Sequence, residues 1–338
     1  MIRNITVGDA PAHVMTRVDT DQVHVSFNGA GSVEEYNPSL TFSRSIPTQF
    51  PGENPAQPHA HWMSFDGKTM VTPNSNTNDS TRIDLVPGTI AAKKHTGWLP
   101  IASSIMPDAS KYYVSNYLDS TITCISIVTG ACKNDAGVGV DIKTIALLVP
   151  GTGTTAGLAN YDPAGGTGFS TSGGLPIQTP IAPDGKFVIT ANTFTATITI
   201  IDTKTDKLVR VLPCSAGCHG VNFGAKKGGG YYAYVSSKFS NDLIVLDYDP
   251  NKDGDVSDAT IVGRILLVGG AHTKSDDSVS ALAGMGGQGV LPIPLVYNGW
   301  VQKLPGFWKH QLTKEQRHPF PKHDNHDDDD NDDDDRDK

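Results

Sequence analysis

Two stretches of the chain share one pattern, YYVSNYLDSTITCISI at residues 112–127 and FVITANTFTATITIID at residues 187–202. Each contains a hydrophobic strand that ends in Asn, a short turn, and a second strand with alternating residues. A period of two is typical of β-strands, and apolar residues on both faces indicate a sheet packed between two neighbours. The pattern therefore predicts antiparallel hairpins that are covered on both sides.

The same pattern recurs along most of the chain. Further copies lie at 23–37, 69–85 and 233–247, with a weaker sixth at 289–304. Four-stranded units that repeat about every 40 to 50 residues indicate the blades of a β-propeller. The segment 151–173 is too polar and glycine-rich to be a repeat, so it is predicted to be an insertion.

These repeats resemble the YVTN-type propeller family, in which PDG, YVTN, a gap and a hydrophobic strand ending in Asp follow one another. Here the matching segments are PDGKFVITAN (183–192) followed by TITIID (197–202), and YYVSN (112–116) followed by TITCISI (121–127). The resemblance covers roughly residues 2–304. It implies an all-β chain with a single propeller of six or seven four-stranded blades, seven being usual in such families.

Three regions are expected along the chain: the propeller at 1–304, a C-terminal extension at 305–320, and a tail at 321–338. Residues 2–7 match the outer-strand element of another repeat, so the N-terminal strand is predicted to complete the last blade and close the ring. The tail is rich in Asp and contains His323 and His326. Such a charge density predicts a disordered, solvated segment.

The net charge of −9 comes largely from that tail. The sequence contains no basic stripe, so nucleic acid is not a predicted partner. No apolar run is long enough for a membrane helix, and the start MIRNITVGDAP lacks the hydrophobic core of a signal peptide. We expect that a leader has been removed or that the chain is a fragment.

The four cysteines form two close pairs, Cys124 with Cys132 and Cys214 with Cys218. Local pairing predicts two disulfides and a periplasmic or extracellular location. His219 follows Cys218 directly, so Cys214, Cys218 and His219 also form an atypical C-x-x-x-C-H version of the haem c attachment motif. A disulfide, a haem attachment site and a metal thiolate are the three interpretations of this stretch, and the disulfide needs no special chemistry.

Aligned repeats place several histidines near the start of the innermost strands. His61 lies five residues before the turn aspartate Asp66, and His59, His13 and His219 lie at or near equivalent positions. Methionines follow His13 and His61 at a spacing of two, and His with Met suits copper. The arrangement distantly resembles the nitrous oxide reductase propeller, and from that resemblance only the location of a copper site in the channel carries over. The aligned repeats themselves give His13, His59, His61 and His219 as its candidate ligands. The alternative is that these imidazoles bond carbonyls or water.

A calcium loop is predicted in DYDPNKDGDVSDAT (247–260), after the strand LIVLD. Its oxygen ligands alternate along the chain, and a glycine permits the sharp turn. The predicted ligands are Asp249, Asn251, Asp253, Asp255 and Asp258. The bidentate acid expected at the twelfth position is missing, so a solvated acidic turn is the alternative.

The sequence contains no recognisable catalytic motif, and broad propeller faces suit partners. It therefore predicts a non-catalytic binding or scaffold subunit outside the cytoplasm, within a redox or respiratory assembly, with a protein partner or a second copy as ligand. One alternative is an oxidoreductase with copper, or haem, at the channel. Another is a self-assembling surface protein stabilised by calcium.

Overall fold

The computed structural model describes residues 5–17, 20–147, 174–267, 287–293, 296–297, 300–301 and 306–317. Most of its strands form five antiparallel sheets of three or four strands that follow one another along the chain, here called blades 1 to 5. Each repeat recognised at residues 23–247 supplies the two middle strands of one blade. The chain is an all-β propeller, as the repeats predicted.

The strands are as follows. Blade 1 contains β1 (Pro11–Thr16), β2 (Val23–Phe27), β3 (Ser32–Tyr36) and β4 (Phe42–Pro47). Blade 2 contains β5 (Trp62–Met63), β6 (Thr69–Asn74), β7 (Asp79–Asp84) and β8 (Thr89–His95). Blade 3 contains β9 (Pro100–Ile105), β10 (Lys111–Asn116), β11 (Thr121–Ser126) and β14 (Ile142–Ala146), with the hairpin β12 (Cys132–Lys133) and β13 (Gly139–Val140) inserted before β14.

Blade 4 contains β15 (Phe187–Asn192), β16 (Thr197–Asp202) and β17 (Lys207–Pro213). Blade 5 contains β18 (Cys218–Ala225), β19 (Tyr231–Ser237), β20 (Asp242–Asp247) and β21 (Thr260–Leu266). A short pair follows, β22 (Val296–Tyr297) with β23 (Trp300–Val301). Two single-turn helices, α1 (Gly306–Lys309) and α2 (Lys314–Arg317), come last. Within the described residues, neither helix is long enough to cross a membrane.

The inner edge of blade 4 is irregular. Two isolated bridges, Pro176 with Asn192 and Ile181 with Val188, take the place of a regular inner strand. Pro176 and Pro180 have no backbone N–H, so this segment cannot complete a ladder. The four-stranded layout is kept, with the inner strand reduced to these bridges.

A repeated side-chain contact explains the Asn that ends the second strand of blades 2, 3 and 4. Asn116 Nδ2 donates to Thr121 Oγ1 and Thr123 Oγ1 of the next strand, both at 2.8 Å. Asn74 and Asn192 make the equivalent pairs of bonds in their blades. We call this contact the asparagine clamp. It joins consecutive strands beside the turn between them.

The core lies between the blades. Met63 and Met70 of blade 2 pack against Val33 and Ile46 of blade 1, and apolar clusters likewise span the later blade pairs. These side chains are almost fully buried, which is the packing that apolar residues on both strand faces predicted.

The turns between strands two and three lie on one face of the propeller, together with the segments that enter each blade. Leu118 N donates to Trp98 O at 3.2 Å, Phe194 N to Gly174 O at 3.2 Å, and Phe239 N to Ala216 O at 3.3 Å. We call this side the loop face. The opposite side, the turn face, holds the Asp-containing turns such as the one at Asp66.

The C-terminal extension packs on blade 5. Gln316 of α2 is buried, and its Nε2 donates to Lys226 O and Gly230 O, both at 2.7 Å. Of the N-terminal segment predicted to close the ring, residues 1–4 lie outside the described residues, and Ile5 and Val7 pack beside Phe27 in blade 1. The predicted insertion 151–173 and the tail 321–338 also lie outside the described residues.

Candidate functional site

Successive blades line a central cavity of about 160 Å³. Its wall includes His13, Trp62, Ser103, Thr179, Asn222 and Val290, one from each of six consecutive segments. The cavity is the channel that the repeat alignment predicted at the inner strands. Its lining mixes apolar side chains, such as Trp62 and Val290, with uncharged polar ones, such as Ser103 and Asn222, and His13 contributes an imidazole.

Two of the predicted copper ligands lie at the start of inner segments. His59 Nδ1 lies 2.8 Å from Ile101 O, and His219 Nδ1 lies 2.7 Å from Gln288 O. Burial lowers the pKa of both imidazoles. If Nδ1 is the donor in each bond, Nε2 keeps its lone pair.

The structure also refines the alignment of His219 with the other inner strands. Ser103 lies opposite Val114, two residues before the blade 3 clamp residue. In blade 5 the corresponding residue is Val221, which lies opposite Val235. His219 is therefore two residues too early to stand at the level of Ser103. The sequence alignment missed this offset because strand bulges are not visible in spacing.

The other two predicted ligands meet between blades 1 and 2. The ring centroids of His13 and His61 are 5.0 Å apart, edge to face. Burial, with His59 nearby, lowers the pKa of His13 to about 4. Burial, with His13 and then His24 nearby, holds the pKa of His61 well below its usual value.

The structure thus brings His13 to His61 but does not gather the four predicted histidines. In the described part of the chain, one set of three or more His, Cys, Asp or Glu side chains has ligand atoms within 4.8 Å of each other. That set is Cys124, Cys132 and Asp206, and its two cysteines are disulfide-bonded. Copper on all four histidines stays a prediction.

The cysteine pairs differ. Cys124 and Cys132 form the predicted disulfide, whereas Cys214 and Cys218 are free thiols. Cys218 Sγ lies 3.4 Å from both Asn192 O and Thr197 O, and Cys214 lies beside it as a further hydrogen-bond neighbour. In this structure the second predicted pair is two neighbouring thiols, and a disulfide between them stays a prediction.

The same burial bears on the haem interpretation. Cys218 belongs to the core between blades 4 and 5, while His219 on the same strand contacts Gln288. The strand is bulged between Cys218 and Val221, and haem attachment on Cys214, Cys218 and His219 stays a prediction. Burial, followed by the neighbouring Cys214, raises the pKa of the Cys218 thiol.

The predicted calcium ligands occupy the hairpin between β20 and β21. Gly254 has a φ of +83° and donates its N–H to Asp249 Oδ2 at 3.1 Å. Asp253 Oδ1 accepts from Asp255 N at 2.7 Å, and Asn251 Oδ1 accepts from Asp253 N at 3.1 Å. Asp249 Oδ1 is buried and has no hydrogen-bond partner among the described residues. Asp258 is exposed.

The loop face carries large exposed apolar side chains. Phe194 is 70% exposed, Trp98 67%, Phe239 58% and Leu118 45%. Leu118, Phe194 and Phe239 occupy the same position of their blades, two residues after the end of the second strand. Trp98 lies beside Leu118, because Leu118 N donates to its carbonyl oxygen and Asp119 Oδ2 accepts from Trp98 N at 2.7 Å.

Sequence reasoning missed two groups of residues. One is this apolar row, whose signal was available: Leu118, Phe194 and Phe239 recur at one offset from the clamp position. The other is His24 with Glu35. His24 lies three residues before the end of the second strand of blade 1. The same position is held by Val71, Tyr113, Ile189 and Tyr234 in the other blades.

No protein-family model matches the sequence, and no curated protein matches it. Solved structures do. A functionally unknown protein from Desulfotomaculum acetoxidans is similar with a TM-score of 0.56 and 13% identity, over 77% of this chain and 71% of that one. The Cps50 (Swd1) β-propeller domain of Myceliophteria thermophila also has a TM-score of 0.56, with 10% identity over 78% and 75% of the two chains.

Virginiamycin B lyase from Staphylococcus aureus is a third similar structure. Its TM-score is 0.51 and its identity is 13%, and the match covers 76% of this chain and 69% of the lyase chain. At such identities these likenesses show the fold alone. The YVTN-type family stays a prediction, and what the comparisons establish is that this chain folds as a β-propeller.

Proposed function

We propose that this protein is an extracytoplasmic, non-catalytic binding subunit that holds a protein partner against its loop face. The observation that carries the proposal is the row of exposed apolar side chains at Trp98, Leu118, Phe194 and Phe239. Large apolar side chains that cluster on one face mark interaction sites, and aromatic residues are enriched in protein interfaces.

The recurrence of these apolar side chains at one turn position supports a binding role for the loop face. Three blades present a large apolar residue at the same turn position, although nothing in the propeller core needs it there. Burial of each such side chain against a partner stabilises a complex by about 1.5–3 kcal/mol before the costs of association. A partner with apolar side chains of its own fits this face.

The Cys124–Cys132 disulfide supports a location outside the cytoplasm, because disulfides persist in oxidising compartments. We include in this proposal that the partner belongs to a redox or respiratory assembly, which would also lie outside the cytoplasm. The haem and self-assembly alternatives have no observation in the described residues that favours them over partner binding.

The test compares complexes isolated under native conditions from the protein's own compartment. Phe194→Asp with Phe239→Asp places two charges in the loop-face row, and we expect the double variant to migrate as the free chain while the wild type migrates as a larger complex. Val86→Asp with Val128→Asp is the matched control on the turn face, where both valines are exposed.

The control should keep the complex. Equal migration of the two double variants and the wild type would contradict the loop-face proposal. Sedimentation of the purified wild type alone separates the alternatives, because a larger species without any partner would indicate homo-oligomers.

A further inference from the structure

The interface between blades 1 and 2 contains a cluster of three histidines. In blade 1, His13 pairs with Ser26, and Met15 pairs with His24. Paired residues of antiparallel strands point to the same side, so His13, Met15, Ser26 and His24 share one face. That face meets blade 2, because Ser26 Oγ donates to His59 O at 2.6 Å.

His61 approaches this face from blade 2. Its ring contacts that of His13, and His24 lies near enough to lower the pKa of His61 further. We call His13, His24 and His61 the interblade histidines. Two of them, His24 and His61, are completely buried, and His13 also lines the central cavity.

Four ring nitrogens of the interblade histidines are buried without a hydrogen-bond partner among the described residues. They are Nδ1 of His13, Nδ1 of His24, and both Nδ1 and Nε2 of His61. A neutral imidazole always carries one N–H donor and one lone pair, so His61 leaves both unsatisfied. Most buried polar groups are paired in folded proteins, so four unpaired ring nitrogens at one interface need an explanation, such as a bound water or ion.

His24 shows the arrangement of a metal ligand. Its Nε2 lies 3.0 Å from Glu35 Oε2, which also accepts from Arg44 Nη2 at 2.9 Å. Ser43 Oγ donates to the other oxygen of Glu35 at 3.0 Å. With Nε2–H directed at this anchored carboxylate, Nδ1 of His24 carries the lone pair. Metal-binding histidines typically donate their second ring nitrogen to a carboxylate in this way.

Two methionines lie close to these histidines in the sequence. Met63 follows His61 by two residues and ends β5, and Met15 follows His13 by two residues within β1. Met15 and Met63 belong to one packed cluster between the two blades. Imidazole nitrogen combined with thioether sulfur suits copper, and the soft thioether favours its Cu(I) state.

We propose that the interblade histidines bind one Cu(I) ion between blades 1 and 2, with Met15 and Met63 as neighbouring thioethers. The ion reaches the site from the central cavity along His13. The ligand nitrogens of the three histidines do not all lie within 4.8 Å of one another in this structure. Binding of the ion therefore requires the three rings to turn toward a common point. The site is separate from the loop face and goes beyond the proposed partner binding.

The test titrates the full-length, metal-free protein with Cu(I), anaerobically and in competition with a chromogenic Cu(I) chelator. We expect one tightly bound equivalent in the wild type. His61→Leu should lose it, with affinity at least about 100-fold weaker, and Glu35→Gln should weaken it about 10–100-fold by releasing His24. All variants keep the tail, so any copper on His323 and His326 is the same in each.

His59→Leu and His219→Leu are the matched controls, since both change a histidine of the channel entrance. They should keep the tight equivalent, and X-ray absorption of the loaded wild type should show nitrogen and sulfur neighbours. Copper should also raise the melting temperature of the wild type and leave that of His61→Leu unchanged.

Three results would overturn the proposal. Tight binding that survives His61→Leu would place the copper elsewhere, and loss in His59→Leu or His219→Leu alone would place it in the channel. Tight binding of Zn²⁺ without Cu(I) would reject copper. Partner binding is tested with other variants, so either proposal can fail while the other stands.

Discussion

Two blade interfaces of this propeller bury titratable side chains, and they differ in how many hydrogen-bond partners they provide for them. Between blades 3 and 4, Asp206 is fully buried and accepts from Lys111 Nζ at 2.8 Å, from Lys133 N at 2.6 Å and from the Tyr113 hydroxyl. Lys111 Nζ also donates to Thr203 O at 2.6 Å. Every charge in this cluster has a partner.

Between blades 1 and 2, His61 is as deeply buried as Asp206 but has no hydrogen-bond partner among the described residues. Burial alone therefore does not distinguish a structural polar group from a ligand. The number of hydrogen-bond partners is the difference between the two, because the fold itself satisfies Asp206, whereas both ring nitrogens of His61 lack a partner in the described residues. Four substitutions or conditions test this distinction, given from the largest expected effect to the smallest.

Asp206→Asn should cause the largest loss. It removes the charge that balances the buried Lys111 and should lower the free energy of unfolding by about 3–5 kcal/mol. Asn tolerates the positive φ of 53° at this position, so the backbone is unchanged. Chemical denaturation measures the loss. Asp135→Asn, which breaks an exposed pair with Lys143, is the control and should leave the free energy of unfolding almost unchanged.

Asn116→Ala tests the asparagine clamp, in which the Asn116 Nδ2 atom is paired twice and Oδ1 has no partner among the described residues. Loss of its two bonds to threonine hydroxyls should cost about 2 kcal/mol, since a typical net contribution is about 1 kcal/mol for each bond. In blade 5 the equivalent residue is Ser237, whose hydroxyl is buried and unpaired among the described residues. Ser237→Ala should leave the denaturation midpoint almost unchanged. An equal loss of stability in Asn116→Ala and Ser237→Ala would show that the number of hydrogen-bond partners does not determine the contribution of this position.

His61→Leu should have the opposite sign in the metal-free protein. It replaces two unsatisfied ring nitrogens by an apolar side chain of similar size and should raise the free energy of unfolding by about 1–3 kcal/mol. Denaturation in the presence of a strong chelator measures this gain. A loss of stability would mean that His61 has a structural partner, and the comparison with Asp206 would then fail.

Calcium should have the smallest effect. Asp249 Oδ1 is an unpaired buried carboxylate oxygen, and a cation bound there at about ten times its dissociation constant would stabilise the protein by about 1.4 kcal/mol. The measurement is the melting temperature in calcium against a chelator. Asp249→Asn should abolish the difference, whereas Asp66→Asn, at an exposed turn, should keep it. No shift in the wild type would favour a solvated acidic turn.

The repeats predicted the blades well because their signals are local. Strand alternation, the terminal Asn of the second strand and the turn aspartates all act within one hairpin, and the structure places each repeat of residues 23–247 accordingly. The Cys124–Cys132 disulfide was also predictable, since it joins residues separated by 8 positions across one insertion.

The candidate sites were predicted less completely. The sequence singled out His13 and His61, but it grouped them with His59 and His219 and omitted His24. The omission arose because His24 lies on a middle strand, where the alignment expects core residues. For Cys214 and Cys218, short spacing predicted a disulfide, and the structure places the two cysteines side by side as free thiols.

The sequence by itself determined that the chain builds repeated, doubly covered hairpins, because period-two alternation and the clamp depend on residues close together in the chain. Only the tertiary structure decided which polar groups are satisfied. Whether Asp206 meets Lys111, or whether His61 meets any partner, depends on how two blades pack. That packing is set by contacts between distant segments, and no local pattern encodes it.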